Sequence, residues 1–335
     1  MPFIDEILQY KSVSIVGMEK NTGKTEALNY IIRRLEGKKI AVTSIGIDGE
    51  TVDSVTNTHK PEIELFEDTL FITSEKHYQE RKLLSEIVDI STRHTSLGRL
   101  VTAKVIDKGK VILSGPSNIT WLKEAIDALA QHDISTILVD GALSRKSFGS
   151  PTITDAMILT TGAALSPQIS DIVKKTAFLH HLINIEKSQN PYLSTLLQMD
   201  KGIHTIGKES NIHDLNIPST LLLDKYKDRL WGHGSTFFVA GVLSDKMLDT
   251  LRIQKNIHET VIIVKDFTKI YATPESYKAF IQKGGRIEVL LKTKLIAICI
   301  NPTSPTGYTV DSDKLKTALE EQLQVPVYNV KTINN

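Results

Sequence analysis

The sequence predicts an α/β protein with a mostly parallel sheet flanked by helices, plus a second, smaller α/β domain. Three observations carry this expectation. Short apolar segments alternate with segments whose apolar residues recur at helical spacing, the pattern of successive βα units. The strand-like segments are near-continuous apolar runs, as in strands covered on both faces. The chain has 335 residues, enough for about two domains at roughly 150 residues each. A boundary near residue 230 divides it into 1–230 and 231–335.

The elements follow in order. Residues 1–11 read as a short amphipathic helix and Ser12–Val16 as a buried strand. A glycine-containing loop leads to a helix over Glu26–Leu35. Lys38–Ile45 is a second strand, and residues 51–66 are a polar loop before a short strand at Thr69–Thr73. Arg99–Leu113 reads as a β-hairpin with Gly109 in its turn. Ser114–Asn118 turns into a helix over Ile119–Gln131. Ile134–Val139 and Ala156–Thr160 are further buried strands. In the second half, strands are expected at Ser219–Leu223, Phe237–Ala240, Val261–Val264, Ile287–Leu291, Leu295–Ile300 and Pro326–Val330. Helices are expected at Ser244–Leu251, Pro274–Lys283 and Asp313–Gln324.

Composition excludes several classes. With 40 basic and 39 acidic residues, the chain lacks the clustered positive charge that drives general nucleic-acid or membrane-surface binding. No apolar run approaches the ~18 residues of a membrane-spanning helix. The N-terminus carries acids where a signal peptide needs a basic start. The single cysteine, Cys299, rules out an internal disulfide or a thiolate metal cluster. A cytoplasmic protein is expected, with no membrane and no specific nucleic-acid partner.

The most informative stretch is Gly17-Met18-Glu19-Lys20-Asn21-Thr22-Gly23-Lys24-Thr25, followed by Glu26. A phosphate loop needs a strand that delivers the chain to the sheet edge. It also needs glycine-rich backbone that turns N–H groups inward, and a helix starting there whose dipole adds positive potential. All three are present in order. Lys24 is then expected to reach the β- and γ-phosphates and the Thr25 hydroxyl to hold Mg²⁺, as in a P-loop NTPase. Five residues separate Gly17 from Gly23-Lys24-Thr25, where the standard pattern has four. The expected cofactors are ATP and Mg²⁺. ATP is preferred over GTP because no Asn-Lys-x-Asp run follows an apolar strand.

Mg²⁺ takes oxygen ligands, usually one or two carboxylates with water. Asp140 ends an apolar strand before Gly141-Ala142, a catalytic and metal-side position. Asp48, with Glu50 behind it, follows the second strand and is a second catalytic or metal-side candidate; which of the two serves is open. Ser114–Asn118, Arg93–Arg99 and Ser144–Ser147 are candidate anion, substrate or partner contacts, as much as solvated loops. His180-His181 has no acid or thiol at ligand spacing, so no metal is expected there.

The six-residue step between the two glycines resembles dethiobiotin synthetase and the cobyric-acid amide synthetases. Their branch of P-loop proteins also holds the Mrp/MinD ATPases and metallochaperone GTPases. In the Mrp/MinD group a lysine four residues before the second glycine acts across a dimer interface. Lys20 lies three before Gly23. Asp140-Gly141-Ala142 is similar to the Glu-Gly-Ala of dethiobiotin synthetase. Val16–Glu26, Ser44–Glu50 and Ile298–Tyr308 together resemble a clostridial family named as a subunit of the lysine 5,6-aminomutase reactivase, encoded beside a MutS-like ATPase. That resemblance implies an ATP-binding, ATP-hydrolysing accessory protein. Such a protein would remodel an adenosylcobalamin-dependent aminomutase to release damaged cofactor, with the MutS-like subunit and the aminomutase as partners. Relatives that dimerise near their nucleotides imply a homodimer. The alternatives are an ATP-dependent ligase that activates a small carboxylate and a nucleotide-sensing module without turnover.

Overall fold

The computed structural model describes residues 3–45, 62–142, 150–207 and 211–333. It divides into two compact units. Unit 1 comprises Met1–Ala177 and Lys294–Asn335, and unit 2 is the intervening Phe178–Thr293. This differs from the boundary expected near residue 230, which falls inside unit 2. Sequence reading takes domains as consecutive stretches. Here the C-terminal strands complete the first sheet instead.

Unit 1 runs α1 (Ile4–Ile7), β1 (Ser12–Gly17), α2 (Lys24–Arg34), β2 (Ile40–Ser44), β3 (Ile63–Leu65), β4 (Leu70–Ser74), α3 (Glu75–Gln79), β5 (Lys82–Thr95), β6 (Gly98–Val111), α4 (Ile119–Leu129), β7 (Thr136–Ala142) and β8 (Ala156–Gly162), and α5 (Ile169–Ile183) begins in unit 1 and ends in unit 2. Unit 2 holds α6 (Leu193–Gln198), β9 (Ile203–Ile206), β10 (Ile212–Ile217), β11 (Thr236–Val239), β12 (Leu243–Ser244), α7 (Asp245–Leu251), β13 (Val261–Val264), β14 (Ile270–Tyr271), α8 (Pro274–Gln282) and β15 (Arg286–Val289). The chain then returns to unit 1 with β16 (Lys294–Asn301), α9 (Ser312–Leu323) and β17 (Val327–Tyr328).

The unit 1 sheet has ten strands in the order β17-β16-β8-β1-β7-β2-β4-β6-β3, with β5 also paired to β6. From β17 to β4 every neighbouring pair is parallel; β3, β4 and β5 meet β6 antiparallel. The two faces separate with the strand period of two. On β7, Leu138 packs into one apolar cluster with Ile15, Leu28, Ile31 and Val42. Its neighbours Ile137 and Val139 pack into another with Trp121, Leu122 and Ile126. So α2 covers one face and α4 the other, as the continuous apolar strands require. Full burial of each such aliphatic side chain contributes about 1.5–3 kcal/mol.

Helix starts follow local chemistry. Asn118 caps α4 by accepting the Trp121 N–H at 2.9 Å. Thr273 caps α8 ahead of Pro274, accepting the Ser276 N–H at 3.3 Å. Each such cap contributes about 1 kcal/mol.

Three element assignments change. Ile63–Leu65, inside the stretch 51–66 expected as a loop, is strand β3 and pairs with β6. The hairpin is longer than expected: β5 and β6 have 14 residues each, and the turn is at Ser96-Leu97, tied by the Thr95 hydroxyl to the Gly98 carbonyl at 2.6 Å. Gly109 lies inside β6, opposite Leu65. A Cβ there would sit 2.0 Å from the Lys82 carbonyl oxygen, so this glycine permits close strand approach and makes no turn. Four register shifts break the apolar alternation of β5, which hid it in the sequence. Ser219–Leu223, expected as a strand, is instead part of a 3₁₀ turn over Thr220–Lys225 capped by Ser219.

The unit 2 sheet runs β10-β9-β11-β13-β15, parallel from β11 to β15 and antiparallel at β9 and β10. Phe238, Val261, Ile263 and Leu196 form part of its core. Among the described residues no helix is long and apolar enough to cross a membrane.

Cys299 is buried in β16, and burial pushes its thiol pKa up to about 12. A thiol reagent at mildly alkaline pH should therefore leave the folded protein unmodified and titrate the one cysteine only in denaturant. Rapid modification without denaturant would contradict this packing.

Candidate functional site

The phosphate-loop candidate lies where the sheet topology favours a ligand. From β1 the chain passes through α2 to β2 on one side, while β16 lies outside β8 on the other. The strand order therefore reverses between β1 and β8, and the crevice at the C-terminal ends of such strands is the usual ligand position in α/β sheets. The loop bridges that point. Met18 N–H donates to the Thr160 carbonyl at 2.9 Å, and the Thr22 and Thr160 hydroxyls share a buried hydrogen bond of 3.0 Å. Thr22 also donates to the Glu19 carbonyl at 2.9 Å, closing the loop on itself.

The glycines explain the curl. A Cβ on Gly17 would lie 2.5 Å from Thr22 Oγ1 and 2.9 Å from Lys24 Cγ, so any side chain there would hold the loop open. Gly23 has φ +94° and Asn21 φ +62°, left-handed values that glycine and asparagine tolerate best. Gly23 immediately precedes α2 and provides no side-chain cap. The first-turn N–H groups of α2 thus face a site whose natural acceptor is an anion.

Lys24 opens α2 and is partly buried. Its ammonium is held below the ordinary lysine pKa. Desolvation lowers it most, the Asp140 carboxylate offsets part of that, and Lys20 lowers it further. Lys20, Lys24 and Asp140 therefore share one electrostatic neighbourhood. The free folded protein holds this proton less tightly than the unfolded chain does. Its stability therefore rises with pH between the lowered value and 10.5. A bound phosphate favours the ammonium, so nucleotide affinity should fall as pH rises through the lowered pKa. Binding titrations from neutral to alkaline pH test this; a Lys24→Ala variant should lose that pH dependence.

Asp140 sits on β7 opposite Ile15 of β1 and Ser44 of β2. Its carbonyl accepts the Ile45 N–H at 3.1 Å, which fixes the strand end beneath the loop. Thr25 is in the first turn of α2. Thr25 and Asp140 carry oxygen donors of the kind Mg²⁺ takes alongside phosphate oxygens and water. Among the described residues no group of three or more His, Cys, Asp or Glu is placed to hold a metal.

The remaining expected residues divide. Glu26 points along α2 to Lys331, 3.4 Å away, which gives it a structural partner outside the loop. Asp48, Glu50 and Ser144–Ser147 lie outside the described residues. Ser114 is fully buried and bonded to His77, Ser74 and Thr73, so it serves packing of β4 against β6 rather than an open anion site. His181 is bonded to the Tyr277 hydroxyl at 3.1 Å.

Sequence reading did not assign the residues that support the loop from other strands. Thr160 reads from the sequence only as the end of an apolar strand. Asn301, at the end of β16, donates from Nδ2 to the Asn21 carbonyl at 2.9 Å. The available signal for Asn301 was an Asn-Pro step closing an apolar strand, which has no motif of its own. Comparison with protein-family models, curated proteins and solved structures finds no match to this chain.

Proposed function

We propose that this chain binds a nucleoside triphosphate with Mg²⁺ at Gly17–Thr25 and hydrolyses it as an accessory ATPase. The observation that carries the reading is the closed loop at the strand-order reversal, with the partly buried Lys24 beside Asp140. In this reading the loop N–H groups and the α2 terminus bind the phosphates and Lys24 neutralises the β- and γ-oxygens. Thr25 and Asp140 would hold Mg²⁺, which when bound adds further neutralisation at the phosphates. Adenine is preferred because the chain has no Asn-Lys-x-Asp run.

The purpose of the turnover is the finer proposal, and it rests on the resemblance of Val16–Glu26, Ser44–Glu50 and Ile298–Tyr308. The chain reactivates an adenosylcobalamin-dependent aminomutase in the cytosol, acting as a homodimer with a MutS-like ATPase. Nucleotide state shifts its preference between open and closed aminomutase, and that differential affinity drives release of damaged cofactor. Phosphate release from ATP should be slow for the chain alone. It should rise when the MutS-like partner, or aminomutase loaded with cobalamin lacking its adenosyl group, is added. Unchanged turnover with no co-purification would remove the reactivase role and leave the nucleotide site standing. ADP release that appears only with a small carboxylic acid would instead favour a carboxylate-activating ligase.

A further inference from the structure

We propose that Asn301 is a positioning residue that latches the phosphate loop in its anion-binding form. The proposal deepens the nucleotide-site reading and rests on it. Asn301 ends β16, one strand beyond β8, and pairs with Gly162. Its side-chain amide has a defined orientation. Oδ1 accepts the Thr303 N–H at 3.2 Å, so Nδ2 is the group that faces the loop and donates to the Asn21 carbonyl at 2.9 Å.

Peptide geometry gives that bond its consequence. In a trans peptide the carbonyl and the following N–H point in opposite directions. Holding the Asn21 carbonyl against Asn301 therefore turns the Thr22 N–H away from β16. An anion-binding loop works by converging its N–H groups and turning its carbonyls outward, because an inward carbonyl would repel the phosphate. The left-handed φ of +62° at Asn21 and +94° at Gly23 lets the chain reverse around this peptide.

Close packing around Asn301 supports the assignment. A Cβ on Gly23 would lie 3.0 Å from Asn301 Cβ, and a Cβ on Gly162 would lie 1.9 Å from the Asn301 carbonyl oxygen. Gly162 leaves room for the Asn301 backbone and Gly23 for its side chain, which together let the amide reach the loop. A residue needed only to cap its own turn would use Oδ1 on Thr303 and would not need the second bond, made to a residue 280 positions away in sequence.

The test is calorimetric titration of ATP and ADP into wild type, Asn301→Ala and Asn301→Asp, with melting of each nucleotide-free protein. Asn301→Asp keeps the shape and the Thr303 cap but has no donor for Asn21. Both variants should bind ATP about three- to tenfold more weakly, the range for losing one neutral hydrogen bond. The added charge should place Asn301→Asp at the weaker end. Free-protein melting should stay near wild type, and kcat at saturating ATP should be retained while KM rises. Wild-type affinity in Asn301→Ala would overturn the latch, as would weakened binding in Asn301→Ala with normal binding in Asn301→Asp. Loss of affinity that only follows a loss of folding stability would also overturn it. A wild type that binds neither nucleotide overturns the site itself, and the latch with it.

Discussion

Lys24→Ala is expected to weaken nucleotide binding roughly 10- to 150-fold while leaving the free protein at least as stable as wild type. The ammonium opens α2 beside the loop, and its lowered pKa shows that its charged form is disfavoured in the free fold. Removing it relieves that penalty, so the two effects have opposite signs. A charge-assisted hydrogen bond to phosphate contributes about 1.5–3 kcal/mol, a loss of roughly 10- to 150-fold in affinity. Turnover should fall further, by about 10²–10³, as when one preorganised donor is removed from a developing charge. Lys24→Arg should not restore activity, since the planar guanidinium does not replace a compact ammonium in a cradle this tight. Titration with a fluorescent ATP analogue and a urea melt measure both halves. A Lys24→Ala protein that binds nucleotide as wild type does would end the nucleotide-site reading.

Gly162→Ala should be strongly disruptive at the site. Gly162 closes β8 with φ +151°, a region that residues with a Cβ avoid. The added methyl would meet the Asn301 carbonyl oxygen at 1.9 Å and its backbone nitrogen at 2.9 Å. Those are backbone atoms of β16, and they cannot swing aside. The Ala163 N–H bond to the Asn301 carbonyl, 2.9 Å long, must stretch or break. Strain and overpacking together place the loss at about 2–4 kcal/mol, read as a lower urea midpoint with an unchanged slope. Because β16 carries Asn301, nucleotide affinity should fall in any fraction that folds. A midpoint within error of wild type would mean that β8 and β16 are not packed as described. Gly37→Ala is the matching control for the position of the clash. It also has a positive φ, +77°, but no atom lies within 4 Å of its added Cβ, so its effect should be limited to local backbone strain.

The parts of the site that read directly from the chain are those that are contiguous in it. Strand β1, the loop and α2 occupy residues 12–34, and each is specified by local chemistry: an apolar run, glycines where a side chain would collide, and an amphipathic helix. Asp140 was expected to end its apolar strand, but β7 runs on to Ala142, alongside Gly17 of β1. Glu26 was not separable from the loop by sequence, because only the fold places Lys331 beside it. The 14-residue strand β5 escaped notice because its bulges shift its faces out of the period-two pattern.

The sequence by itself therefore determined the α/β class, the alternation of buried strands and covering helices, and a glycine-containing loop that joins the first strand to a helix. Only the tertiary structure decided that residues 178–293 form an inserted unit and that β16 returns to pair with β8. It also decided that Thr160 and Asn301 hold the loop from two neighbouring strands. The physical reason is that periodicity reports which face of an element is buried but not which element buries it. In a parallel sheet, adjacent strands are joined through crossovers that can be long. The loop's chemistry is thus written in nine consecutive residues, while its shape depends on partners far along the chain.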